Sequence, residues 1–137
     1  MNFKVHHVAL TVNNTKASVD WYKSKLGFEV IHEYNKHGME ITQLKRDTIR
    51  LELFCYRQDT KPLPEYRKAL MDDLHVVGTK HLCIEVENLD DMIKELHSRD
   101  LEFATEIDTA GFGGRYIFIK DCNGILIELY QDSNTLR

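Results

Sequence analysis

Two histidines and two glutamates stand in matched surroundings. His7 opens the run His7-Val8-Ala9-Leu10-Thr11-Val12, and His81 opens His81-Leu82-Cys83-Ile84-Glu85-Val86. Both read His, apolar, small, apolar, polar, Val. Glu52 lies in Leu51-Glu52-Leu53-Phe54 and Glu128 in Ile127-Glu128-Leu129-Tyr130, each reading aliphatic, Glu, Leu, aromatic. The histidines are 74 positions apart and the glutamates 76, the near-constant period of a duplicated supersecondary unit. Side chains alternate across a strand. With the aliphatic residues of these runs on one face, His7, Glu52, His81 and Glu128 fall on the other, together with Thr11, Phe54, Cys83 and Tyr130. If that face is concave, four potential metal ligands converge. Two carboxylates and two imidazoles are costly to bury unpaired. A divalent cation relieves the cost, and a mixed His/Glu set at about 2.0–2.2 Å suits zinc, with nickel, iron and manganese as alternatives. A lone His on a strand, or a lone Glu between leucines, is ordinarily structural or solvent-facing. The recurrence of both in matched contexts is what points to a metal site.

The elements that would position these residues also repeat. Asn13-Asn14-Thr15 offers helix-capping side chains, Val19, Tyr22 and Leu26 follow at helical spacing, and Gly27 suits the left-handed residue just past a helix. In the second half Asn88-Leu89-Asp90-Asp91 puts acids at a helix start, and Leu89, Met92, Ile93 and Leu96 recur at i, i+3, i+4, i+7. Strands are expected at 28–34, 40–44 and 49–54, and again at 102–107, 115–119 and 125–130, with Asn123-Gly124 as the stronger of two turn signals. The expected fold is therefore α+β: two tandem β-α-β-β-β modules, 1–56 and 80–137, joined by a linker over 57–79. Pro62 and Pro64 interrupt that linker early, and 65–71 is expected to form a short helix. The aliphatic faces pack under the two helices, which leaves the His/Glu face turned away from them.

Composition narrows the function classes. The 137 residues carry 18 Lys and Arg against 22 Asp and Glu, a formal charge of −4, and no long basic run appears, which argues against a nucleic-acid backbone binder. No apolar stretch approaches a membrane span, and the opening residues lack the apolar core of a signal peptide. Cys55, Cys83 and Cys122 are odd in number with no Cys-x-x-Cys pair. Neither a disulfide framework nor a zinc ribbon is expected, and a reducing cytoplasm fits. Gly111-Phe112-Gly113-Gly114-Arg115 reads as a flexible loop ending in a cation. As a lid it would let Arg115 hold a substrate carboxylate or phosphate, although a plain surface loop is the simpler reading. The remaining histidines, His6 among them, are expected to face solvent or pack, with His6 pointing opposite to His7.

The runs around His7, Trp21-Tyr22 with Leu26-Gly27-Phe28, Leu51-Glu52-Leu53, the run around His81, and 121–129 resemble the vicinal oxygen chelate superfamily of glyoxalase I, extradiol dioxygenases, methylmalonyl-CoA epimerase and bleomycin resistance proteins. The match spans nearly the whole chain. What it implies is a cupped mixed sheet around one divalent metal per site, with ligands at His7, Glu52, His81 and Glu128, and often a site built in a homodimer. A His, Glu, His, Glu set looks like glyoxalase I; extradiol dioxygenases and fosfomycin enzymes typically use two His and one Glu, and the epimerases often carry Gln where this chain has Glu52. The resemblance thus implies a lyase or isomerase that moves a proton through an enediolate whose charge the metal stabilises. Its base would be Glu128 from the family pattern, with Glu52 as alternative or acid partner. Phe54, Tyr130, Thr11 and Arg115 are candidate substrate contacts. The substrate would be a small molecule such as a thiol adduct. Thr11 stands where bacterial glyoxalase I commonly has an Arg for glutathione, and Leu53-Phe54-Cys55-Tyr56 lacks the expected Asn, so the thiol stays open. A ring-cleaving dioxygenase and a non-catalytic binding protein are the alternatives.

Overall fold

A computed structural model describes residues 1–135 and divides the chain into two units, Met1–Pro62 and Leu63–Arg137. Each unit holds one β-α-β-β-β module, and the architecture is α+β.

In the first unit β1 (Val8–Thr11) leads into α1 (Thr15–Leu26), followed by β2 (Glu29–Lys36), β3 (Met39–Arg46) and β4 (Ile49–Cys55). The sheet order is β1-β4-β3-β2, with β1 parallel to β4 and the other pairs antiparallel. The crossover through α1 is what lets the first and last strands of the module lie side by side. Asn14 caps α1 by accepting from Ala17 N at 2.8 Å. Gly27 ends it at φ 72, where its N–H reaches Lys23 O at 3.1 Å, and Arg46 donates to the freed Leu26 carbonyl. Val12, Tyr22, Leu26, Phe28, Leu44, Leu51 and Leu53 form the buried layer between helix and sheet. Each such side chain contributes about 1.5–3 kcal/mol by leaving water.

In the second unit a 3₁₀ turn at Glu65–Arg67 and one turn of helix, α2 (Leu70–Asp73), precede β5 (Leu82–Glu85) and α3 (Leu89–Ser98); β6 (Asp108–Thr109), β7 (Arg115–Lys120) and β8 (Leu126–Gln131) complete the module. The order β5-β8-β7-β6 repeats the first sheet, again with the outer His-bearing strand parallel to the last strand. Asn88 caps α3 through Asp91 N at 3.0 Å. The buried side chain of Gln131 accepts from Leu89 N at 2.7 Å, tying the helix start to β8.

Two expectations need correction. The strand expected over 102–107 is reduced to one bridge, Phe103 with Ile119, and the two-residue β6 beyond it. Thr105 Oγ1 takes the Phe118 N–H at 3.0 Å, and Asp108 Oδ1 takes Thr109 N at 2.8 Å. Side-chain oxygens thus satisfy donors that a strand would have paired. The helix expected over 65–71 is broken at Ala69, which has extended dihedrals. What fixes this connector is an ion cluster that spacing alone did not reveal. Asp73, 2 % exposed, receives Lys80 Nζ at 3.3 Å and Arg67 Nε at 3.6 Å on one carboxylate oxygen. Lys80 Nζ also donates to the Asp73 carbonyl at 2.7 Å and to Val76 O, and Arg67 donates to Lys80 O at 3.3 Å. From Leu63 on, the connector therefore belongs with the second unit.

Candidate functional site

In each module the His stands one residue before the first strand and the Glu in the middle of the last. The parallel register places Ala9 beside Glu52 and Cys83 beside Glu128, so each His, two residues earlier on the same face, reaches the carboxylate of its own module. His7 Nε2 lies 3.6 Å from Glu52 Oε1, and His81 Nε2 lies 2.9 Å from Glu128 Oε2. Glu52, Glu128 and His81 are largely covered, with side chains 12 %, 17 % and 18 % exposed, whereas His7 is 34 % exposed.

The surroundings of the two couples differ. Across the antiparallel ladder Gln43 faces Glu52, and its amide Nε2 donates to Glu52 Oε2 at 2.6 Å. At the same station in the second module Phe118 faces Glu128, and its ring meets the His81 ring edge-on at 4.8 Å. His7 Nδ1 pairs with His6 Nδ1 at 2.8 Å. His6 thus turns toward its neighbour instead of away, as strand alternation had implied, because the strand begins only at Val8. His81 Nδ1 is buried with no partner. The Cys83 thiol is pushed up to about 12, chiefly by burial and then by the charge and hydrogen bonding of Glu128. It therefore stays protonated at neutral pH and is no nucleophile.

The donor chemistry fits a divalent ion. Two donors each about 2.1 Å from one ion, at angles between 90° and 110°, lie roughly 3.0–3.4 Å apart. The observed separations of 2.9 and 3.6 Å bracket that range, with an imidazole Nε2 and a carboxylate oxygen in each couple. Among the described residues no group of three or more His, Cys, Asp or Glu is gathered closely enough to hold an ion; each couple by itself supplies two donors.

Ladder partners opposite one another share a face, so Thr11 and Phe54 lie with Glu52, and Tyr116 and Tyr130 with Glu128. The Tyr130 hydroxyl donates to Gly113 O at 2.9 Å, and Phe112 lies over its ring at 5.4 Å. Burial, followed by Asp132, raises its pKa above the ordinary phenol value. Burial likewise raises that of Tyr116, helped by Asp108. Arg115 is a correction. Its ladder partner is Gln131, on the face that bears α3, and its guanidinium is bound to Asp90 at 3.0 and 3.5 Å. The loop over 111–114 that precedes it is also less free than its glycines suggested, since Gly114 is packed against Tyr130 and Gln131. On the Glu128 face of the second sheet, Tyr116, Lys120 and Leu126 join Lys68, Met71 and Ile107 around a cavity of about 530 Å³, a volume suited to a small organic ligand. The sequence reading missed this cavity because a third of its wall comes from the connector.

Comparison with known proteins agrees with this layout. Residues 4–129 match the model of the Glyoxalase/Bleomycin resistance protein/Dioxygenase superfamily. The chain is 26% identical over 133 residues to the mitochondrial methylmalonyl-CoA epimerase of Dictyostelium discoideum, covering 93% of this chain and 78% of that protein. It is 27% identical over 135 residues to the ethylmalonyl-CoA/methylmalonyl-CoA epimerase of Cereibacter sphaeroides, covering 93% and 97%. The crystal structure of a glyoxalase family protein from Enterococcus faecalis superposes with a TM-score of 0.77 at 30% identity, over 93% of this chain and 96% of that one.

Proposed function

Because the chain belongs to the Glyoxalase/Bleomycin resistance protein/Dioxygenase superfamily, we propose that it is a divalent-metal-dependent enzyme that moves a proton at a carbon next to a carbonyl. The observation that carries the reading is the pair of couples, His7 with Glu52 and His81 with Glu128, each with an imidazole Nε2 within 3.6 Å of a carboxylate oxygen. When bound, the ion supplies electrophilic stabilisation of the negative charge that grows on the substrate carbonyl oxygen. The ligands proposed for it are His7 with Glu52 and His81 with Glu128, each couple supplying one imidazole nitrogen and one carboxylate oxygen.

Glu128 is the base. It takes the proton from the carbon adjacent to the carbonyl and returns it, either to the same carbon, once the planar intermediate has turned to present its other face, or to the neighbouring carbon. The first outcome is an epimerisation and the second a glyoxalase-type isomerisation. The names of the Dictyostelium and Cereibacter relatives favour the first, with an acyl thioester as substrate; the second Glu in the ligand set keeps the lactoylglutathione lyase-type reaction as the other form of the same step. Tyr130 serves as an apolar wall: its hydroxyl is committed to Gly113 O and is not free to deliver a proton. Phe54 is its counterpart beside Glu52, and both exclude the water that would compete for the proton. The cavity beside Tyr116 and Lys120 receives the body of the acyl substrate. The three cysteines are all free, which suits a reducing compartment such as the cytoplasm. Homodimerisation is part of the reading and is checked by light scattering.

The test combines metal content with isotope exchange. The purified protein is loaded with nickel, zinc, iron or manganese and incubated in deuterium oxide with methylmalonyl-CoA, and separately with methylglyoxal plus a series of thiols. Deuterium entering the carbon beside the carbonyl, together with metal that drops below stoichiometric amounts in His7→Ala and Glu128→Gln, is the expected result. Stoichiometric metal in both variants overturns the ligand assignment. Metal binding with no exchange on any of these substrates overturns the reaction, and a parent protein that takes up no metal points to a non-catalytic binding module.

A further inference from the structure

The two carboxylates occupy equivalent stations in the two modules, yet their neighbours across the ladder are different in kind. Glu52 lies between Ala9 and Gln43, and Glu128 between Cys83 and Phe118. We infer that Gln43 is a positioning residue that clamps Glu52 as a permanent ligand and so makes the two glutamates unequal in their freedom to move. This inference rests on the metal-dependent reading above and deepens it.

The Gln43 amide reaches Glu52 Oε2 at 2.6 Å, a charge-assisted bond of the stronger class. It spends one carboxylate oxygen and leaves the other, Oε1, facing His7 Nε2 at 3.6 Å. A carboxylate held in this way has its terminal torsions fixed and its other oxygen left to ligate, the arrangement by which an outer hydrogen bond would orient a ligand. Glu128 has no amide anchor across the ladder; its Oε2 meets His81 Nε2, the other member of its own couple, at 2.9 Å. Phe118 has no donor to give it, and the Cys83 thiol beside it is a weak one. A carboxylate that is to leave the ion, take a proton and return must not be tied by its second oxygen. The ladder therefore holds one Glu still and leaves the other able to swing. Gln43 lies on β3, directly opposite Glu52 on β4 and with β4 between it and β1; its action on an ion is thus through Glu52.

The experiment measures the dissociation constant of cobalt by competition with a chromophoric chelator, in the parent, Gln43→Met, Glu52→Ala and the double variant. Gln43→Met keeps length and removes the amide. It is expected to weaken cobalt binding about 10- to 100-fold, the usual effect of losing an outer-shell partner. In the Glu52→Ala background the same change is expected to cost nothing further, since the clamp has nothing to hold. Gln43→Asn, which keeps the amide but withdraws it by one methylene, is expected to fall between parent and Met and serves if Gln43→Met does not fold. A Gln43→Met protein that binds cobalt within twofold of the parent overturns the inference, as does an equal loss in the parent and Glu52→Ala backgrounds, which marks a general structural effect. If the parent itself binds no cobalt, the metal-dependent reading fails first, and that outcome is distinct from either of these.

Discussion

Substituting Ala for Gly114 tests whether the loop before β7 is a free lid or a fixed wall. Gly114 has φ +83, a conformation L side chains rarely adopt, and a methyl group there would press on the Gln131 carbonyl and come within 2.6 Å of the Tyr130 hydroxyl and 2.8 Å of its ring. Holding a non-glycine residue at positive φ costs about 1–2 kcal/mol. Relief of the clash requires Tyr130 to withdraw, which breaks its hydrogen bond to Gly113 O at a net loss of about 1 kcal/mol. Loss of the Phe112 ring contact at 5.4 Å adds about 0.5 kcal/mol. The sum is about 3 kcal/mol, and for a chain of this size Tm should fall by roughly 10 °C. Denaturant unfolding followed by circular dichroism measures the first figure and a thermal melt the second. Because Tyr130 shares its face with Glu128, the deuterium exchange of the substrate should slow as well. A Gly114→Ala protein within about 0.5 kcal/mol of the parent would refute the reasoning and restore the picture of a mobile loop.

Two further outcomes are expected. Arg115→Met should leave KM within about twofold of the parent and lower stability by at most about 1 kcal/mol, the range of a partly exposed ion pair, because Arg115 is engaged with Asp90; a large rise in KM in steady-state kinetics would return Arg115 to the substrate. For Cys83, whose folded pKa of about 12 exceeds the usual 9.0, the unfolded chain releases its proton first, so its contribution to stability is full below pH 9 and is lost as pH rises toward 12. Denaturant titrations of the metal-free protein should accordingly show a steeper alkaline decline in the parent than in Cys83→Ala, and identical slopes would disprove the assignment.

Much of this layout was legible in the chain because duplication writes the same message twice. The cap residues Asn14 and Asn88, the Gly27 stop and the alternation around Leu51 and Leu53 each act within a few residues of chain, where spacing is informative. What escaped depends on register between distant strands. Gln43 carries no mark of its own; its importance comes from standing opposite Glu52, nine residues on. Arg115 looked free because Asp90 lies 25 residues earlier. The strand expected over 102–107 failed because Thr105 and Asp108 satisfy local donors with their own side chains, a competition that hydrophobic periodicity does not register. His6 was misplaced because alternation was extended two residues beyond the strand that enforces it.

The knot of Asp73, Lys80 and Arg67 gives the connector a role its irregular backbone conceals. Lys80 is the residue immediately before His81, and its main-chain oxygen and ammonium are both tied down. The second imidazole is therefore hung from a peg on its upstream side as well as from the strand that follows. Cutting the Asp73 carboxylate would strand two cations in a poorly hydrated spot and, at the same stroke, slacken the backbone on which that ring turns. A lesion eight positions upstream could thus pass for a defect in the ring itself.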